Sequence, residues 1–282
     1  MSGPLVLLKA VDYSGTGTWA DQSGEGNDAT LDTGTIAKNA AGNGIVLNGS
    51  TSWTFPNVAV GNAWTASVWF KKTAAGSGTT PCILTQILDT DMINLTIGDI
   101  NDDGTLLSGF YNTSWYTGSA ITLPLNQWAN IQVTWDGTEL ATYLNGTLLG
   151  TTQPGGTAAD AGTAYRIGRG WTASGYVTGE IGEVRIYDYA FTLIDVQEDY
   201  ASSYDTFMWN PTTFAGLQLW LDATDPLNTG TPPADSTTIA TWYDKSGLAN
   251  NATADGTIYY SAAGLGGLPG MSLAGAEGFH GP

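Results

Sequence analysis

The chain has little of the side-chain chemistry from which most catalytic and redox sites are built. It carries one cysteine, Cys82, and one histidine, His280, among 282 residues. A single cysteine excludes an intrachain disulfide framework, and Cys82 reads as a small apolar core residue. A single histidine excludes a His-centred triad and a multi-His metal site. Charge is scarce too: 12% of residues are Asp, Glu, Lys or Arg, about half the usual ~25%. Only 8 residues are basic against 26 acidic, for a net charge of −18. Such a chain repels phosphate backbones, so a nucleic-acid partner is not expected. No apolar run approaches the length of a membrane-spanning helix, so membrane insertion is not expected either. The opening MSGPLVLLKAV lacks the basic region of a secretion signal and reads as a first strand.

Glycine is abundant, with 38 residues, near twice its usual ~7% share. Thr, Ser, Asn and Gly must then carry the surface. That profile fits an all-β protein with many tight turns and fits helices poorly. The pattern is clearest at 127–152. Ala129, Ile131, Val133 and Trp135 alternate with polar residues, and Asp136-Gly137 makes a turn. Leu140, Thr142 and Leu144 then alternate up to Asn145-Gly146, a strong two-residue hairpin signal. This predicts a three-stranded antiparallel meander. Further strands are expected at 44–49, 52–56, 64–71, 83–88, 92–100, 105–111, 164–168 and 178–188. In the last, Ile181 lies on one parity and Val184 and Ile186 on the other, so Gly182 is expected to form a bulge. One short helix is expected at 193–202, opened by a capping box of Thr192 and Asp195.

The chain also repeats itself. TWADQSGEGNDAT at 18–30 and TWYDKSGLANNAT at 241–253 agree at eight of thirteen positions. An apolar segment precedes each copy and a Gly-bounded run follows each, at 44–49 and 270–275. An offset of this size marks two related modules and not a short solenoid period.

Four signatures in order resemble the laminin-G-like family of concanavalin A-like jelly rolls. They are WADQSGEGNDATL from Trp19, AWTASVWFKK at 63–72, QWANIQVTWDGTELATYLNGTLL at 127–149 and GEIGEVRIYDYAFTLIDVQEDY at 179–200. The resemblance implies an antiparallel jelly-roll β-sandwich with sheets of about six or seven strands. The expected division is a complete domain at 1–205, a linker at 206–216, and at 217–282 the N-terminal portion of a second such domain, with the natural chain continuing past Pro282. The family usually has an Asp in the closing strand where this chain has Gly182.

Several groups are candidates for chemistry. Glu180 and Glu183 superficially resemble the paired carboxylates of glycosidases on this fold, but they have opposite parity in a regular strand. Asp99, Asn101 and Asp103 begin like a calcium loop, yet Phe110 stands where the twelfth-position acid belongs, and a hairpin turn explains the same residues. Asp21, Ser23 and Asn27 are oxygen donors for calcium, or else they bond the local backbone in Asx-type turns. Calcium is thus the candidate cofactor. Trp115, Tyr116, Trp171 and Tyr176 lie in polar, Gly-containing segments that read as rim loops, where exposed aromatics would bind a ligand.

The resulting expectation is a non-catalytic structural or attachment protein of an assembled surface, such as a capsid decoration or fibre component of a virion. Its partners would be other subunits of the particle, copies of itself in a homo-oligomer, or a surface glycan. A secreted carbohydrate-binding or adhesion module is the alternative, and a glycoside hydrolase-related domain comes third.

Overall fold

In a computed structural model of the chain, residues 3–87, 92–156, 162–171, 174–208, 218–264, 269–273 and 275–281 are described. They fall into two compact units, Met1–Met208 and Trp209–Pro282. In chain order the first unit contains β1 (Val6–Lys9), β2 (Thr18–Trp19), β3 (Ala29–Thr33), β4 (Ile45–Asn48), β5 (Ser52–Pro56), β6 (Trp64–Lys72), β7 (Cys82–Gln86) and β8 (Met92–Gly98). There follow β9 (Leu107–Asn112), β10 (Ser114–Thr117), β11 (Trp128–Trp135), β12 (Leu140–Leu144), β13 (Thr147–Thr152), β14 (Ala164–Ile167), β15 (Thr178–Tyr187) and the helix α1 (Leu193–Phe207).

These strands form a jelly-roll β-sandwich. One sheet has seven strands in the order β1-β15-β6-β11-β12-β13, with β4 also on β15. The other has eight, in the order β10-β9-β8-β7-β14-β5-β3-β2. All pairings are antiparallel, and the first strand closes on the last, Val6 opposite Ile186. The period-2 pattern decides which residues meet between the sheets. Trp64, Ala66, Val68 and Phe70 of β6 face Trp53, Phe55, Tyr165 and Ile167 of the other sheet within one apolar core. Trp19, Trp53, Trp64 and Trp135 are all fully buried there. Burial of these large rings favours the fold, offset in part because their four indole N–H groups have no hydrogen-bond partner among the described residues.

The expected meander is β11-β12-β13, and Asn145 and Gly146 both take positive φ in its second turn. The bulge at Gly182 is present as well: Ile181 pairs with Phe70, but Glu183 pairs with Trp69. The capping box forms, with the Thr192 hydroxyl accepting from Asp195 N–H while the Asp195 carboxylate accepts from Thr192 N–H.

Two expectations need correction. The helix runs to Phe207 and not to residue 202, so residues 206 and 207 are helical and not linker; most of the expected linker, 209–216, lies outside the described residues. The extension follows from Phe207 itself, whose ring is buried against Trp69 and Trp128 and so rewards another turn. Trp115 and Tyr116 lie in a strand, β10, and not in a loop. Thr113 takes a φ of 60° and lets Asn112 and Ser114 pair as a tight hairpin.

The second unit holds β16 (Thr241–Trp242), β17 (Ala252–Asp255), β18 (Tyr259–Ser261), β19 (Gly270–Ser272) and β20 (Gly278–His280). They pair as β16-β17-β20 and β18-β19. Ile239, Ala252, Ile258 and Tyr260 are buried within it, and Trp242 meets Phe279 edge-on.

Candidate functional site

The repeated segment is a hydrogen-bonded latch. One Asp21 carboxylate oxygen accepts the N–H groups of Leu7 and Ser23 at 2.8 and 2.9 Å. The other accepts the Ser23 hydroxyl at 2.6 Å and the Asn27 N–H at 2.9 Å. Asn27 in turn donates its amide to the Leu5 carbonyl at 2.8 Å. The second unit reproduces this bond for bond. Asp244 accepts from Trp220, Ser246 and Asn250, and Asn250 donates to the Gln218 carbonyl. Burial pushes the Asp21 carboxyl up, but the Ser23, Leu7 and Asn27 donors outweigh it and hold it below the usual carboxylate range. The same balance at Asp244 holds its carboxyl down at about 2. A carboxylate offers about four acceptor positions, and in both copies four protein donors occupy them. A cation here would have to displace those donors.

The turn after β8 is built similarly. The Asp99 carboxylate accepts the N–H groups of Asp103 and Gly104 at 3.1 and 2.7 Å. Asp103 accepts from Thr105, Asp102 accepts from Thr80, and Asn101 is exposed. These bonds fold a hairpin turn of the Asx kind.

The bulge places Glu180 and Glu183 on the same outer face of the seven-stranded sheet, and α1 covers that face. Glu180 pairs with Lys71 at 2.7 Å and accepts from the Asn39 amide. Glu183 is buried beside Arg185 and accepts from the Ser203 hydroxyl of the helix at 3.0 Å. Burial raises the Glu183 carboxyl above its ordinary value against the pull of Arg185. A raised carboxyl suits a general acid, and this one is covered by the helix through Ser203. Asp199 of α1 completes the layer, contacting Arg185 at 2.6 Å, Tyr187 at 2.9 Å, Ser67 at 2.6 Å and Gln132 at 3.0 Å.

The eight-stranded sheet presents a different outer face. Thr30, Thr54, Arg166, Thr85, Thr96 and Thr117 follow one another across it in register, with Gly109 between the last two. Tyr111 and Trp115 share this parity, because Phe110 and Tyr116 pack inward on each other and on the core. The segment after β14 crosses the same face, where the Arg166 guanidinium donates to the Gly170 carbonyl. There Trp171 meets Trp115 with ring centres 4.7 Å apart, and Tyr111 adjoins Trp115 at 5.3 Å. All three rings are partly exposed. Tyr176 is held apart from them, under the Arg169 guanidinium at 4.9 Å and bonded to Thr33. Of the four aromatics singled out in the sequence, Trp115 and Trp171 therefore come together, Tyr116 turns into the core and Tyr176 joins an Arg–Asp32 cluster.

A cavity of about 370 Å³ opens at one rim of the sandwich. It is lined by the connections after β6, β8 and β10, with Phe70, Lys72, Ile83 and Val177 below them. Tyr111 and Lys72 had not stood out from the sequence. Tyr111 shares its parity with Gly109, and Lys72 continues the alternation Trp64, Ala66, Val68, Phe70, which was the signal available for each.

Residues 47–197 match the family model described as the concanavalin A-like lectin/glucanases superfamily. No curated protein sequence matches the chain. Among solved structures, domain 4 of AbnA, a GH43 extracellular arabinanase from Geobacillus stearothermophilus solved with arabinotriose, is similar at 21% identity and a TM-score of 0.59. That match covers 70% of this chain and 97% of the other. The receptor-binding domain of botulinum neurotoxin mosaic serotype C/D is similar at 13% identity and a TM-score of 0.58, covering 99% and 70%. The ligand-binding domain of botulinum neurotoxin serotype D, in complex with N-acetylneuraminic acid, gives 14% and 0.57, covering 91% and 65%. At these identities the likeness is one of fold.

Proposed function

The chain belongs to the concanavalin A-like lectin/glucanases superfamily, and from that premise we propose that it is a non-catalytic glycan-binding attachment module. The observation that carries this reading is the contact of Trp115 with Trp171 on the outer face of the eight-stranded sheet. Two indole rings from distant parts of the chain, with Tyr111 beside them, form a partly exposed aromatic surface. Flat rings of this kind offer large contact area to the apolar faces of sugar rings. The arabinotriose and N-acetylneuraminic acid complexes of the similar structures support the same ligand class. The commitment of Glu180 to Lys71 and of Glu183 to Arg185 and Ser203 supports a binding role without hydrolysis.

The setting proposed is an assembled surface such as a virion, where the module would act as a decoration or fibre component. A buried lone thiol and an acidic, Thr- and Gly-rich composition support a protein displayed on a particle without disulfides. Two experiments test the proposal. On a glycan array, the whole chain is expected to bind a defined glycan set that Trp171→Ala loses; an array silent for the parent chain would end the glycan reading. Imaging and mass spectrometry of purified source particles are expected to find fixed copies at regular positions. Free protein in the medium instead would replace the particle setting with a secreted one.

A further inference from the structure

Lys71 and Lys72 are adjacent at the end of β6 but belong to different faces. Lys71 points to the outer face of its sheet, where it pairs with Glu180 and lies 5.4 Å from the Trp128 ring. Lys72 has the parity of Val68 and Phe70, the core-facing side, and lines the rim cavity directly after Phe70. The ion pairs of the described residues engage Lys71, Arg166, Arg169, Arg185 and Lys245, and Lys72 is in none of them. Lys9 and Lys38 are in none of them either, and of these three lysines Lys72 is the one that lines the cavity. Asp99 also lines the cavity, where the N–H groups of Asp103 and Gly104 take two of the roughly four acceptor positions of its carboxylate.

We propose that this cavity is a binding pocket for a small carboxylated sugar, of the size and chemistry of a uronic acid, with Lys72 receiving the carboxylate. At about 370 Å³ it lies at the small end of the ~300–1,000 Å³ range of ligand pockets, which suits one sugar ring. Phe70, Leu106, Ile121 and Leu123 give the ring apolar walls, and Thr105 and Thr122 bring hydroxyls to the same space. The mixture matches a pyranose, whose C–H faces are apolar and whose edges are polar. Lys72 adds discrimination, because a charge-assisted hydrogen bond in a partly dry site exceeds a neutral one. This pocket is separate from the Trp115–Trp171 surface and stands or falls without it.

The test is a calorimetric or NMR titration of the whole chain with D-glucuronate and D-glucose at equal ionic strength. Glucuronate is expected to bind saturably and at least about tenfold more tightly than glucose. Lys72→Gln is expected to reduce glucuronate to the level of glucose, and Lys72→Arg to retain the preference. Thr122→Trp, at an exposed position of the lining, is expected to abolish binding of both by filling the space. Lys38→Gln, which removes the same charge outside the cavity lining, is expected to leave glucuronate binding unchanged, so loss of the pocket reads out separately from a change in net charge. Thermal melts establish that each variant is folded. Equal affinities for the two sugars, an unaffected Lys72→Gln variant, or no saturable glucuronate binding would each overturn the proposal.

Discussion

The ring of Phe207, in the last turn of α1, fills the space that a side chain on Gly182 would need. The bulge in β15 and the end of the helix therefore specify each other. Substitution of Gly182 by Asp is expected to expel the ring and leave a charge beneath the helix. Overpacking of a core typically costs about 1–3 kcal/mol, and Gly182→Ala should lie in that range. Urea unfolding measures it. Gly182→Ala together with Phe207→Ala should cost less than the sum of the two single changes, since they contend for one space.

Asp199 holds the helix to the sheet through four buried partners. Asp199→Ala leaves the Arg185 guanidinium buried without one of its two carboxylates. Removing one partner of a buried pair costs about 3–5 kcal/mol, and the loss should appear in denaturant melts of the whole chain as a lower midpoint for the first unit.

Asp21 and Asp244 do the same work in separate units, so their substitutions should be separable. An Asn in either place keeps one acceptor oxygen and presents an amide to donors that already point at it. A cost of about 1–3 kcal/mol is expected for each. Hydrogen exchange should localise the loss to residues 5–27 for Asp21→Asn and to 218–250 for Asp244→Asn.

The same carboxylates set the acid limit. An unfolded Asp titrates near 3.9, whereas folded Asp21 lies below its ordinary value and folded Asp244 at about 2. The unfolded state thus binds more protons in this window, so stability rises with pH there. The latch contribution is complete above about pH 4 to 5 and is lost as pH falls toward 2. Acid titration followed by tryptophan fluorescence should show the decline, and Asp244→Asn should flatten it for the second unit.

The meander was legible because its determinants are local: alternating Ile131, Val133 and Trp135, then Asp136-Gly137 and Asn145-Gly146. The Gly182 bulge was legible for the same reason, from the parity of Ile181 and Val184. Strand β10 was not, because Ser114–Thr117 sits among polar residues and its turn depends on Thr113 adopting a left-handed φ that threonine rarely takes. The candidate sites were legible one residue at a time. Trp115 and Trp171 each stood out, but their meeting is set by how the segment after β14 crosses the sheet, a long-range outcome with no local signature. Lys72 drew no reading from the sequence, because its place on the core-facing side follows only from the parity of the whole strand.

The latch also bears on the order in which the first unit takes shape. Asp21 joins Leu7 across fourteen residues, whereas β1 finds its strand partner only near the unit's far end, at Ile186. Loop-closure entropy favours the nearer contact, and local contacts form faster than distant ones. During synthesis the latch can close as soon as residue 27 leaves the ribosome. It would then hold β1 in an extended, backbone-paired form through the interval before β15 exists. The Asp-Ser-Asn segment is thus expected to gather the N-terminal strand before its permanent neighbour has been made.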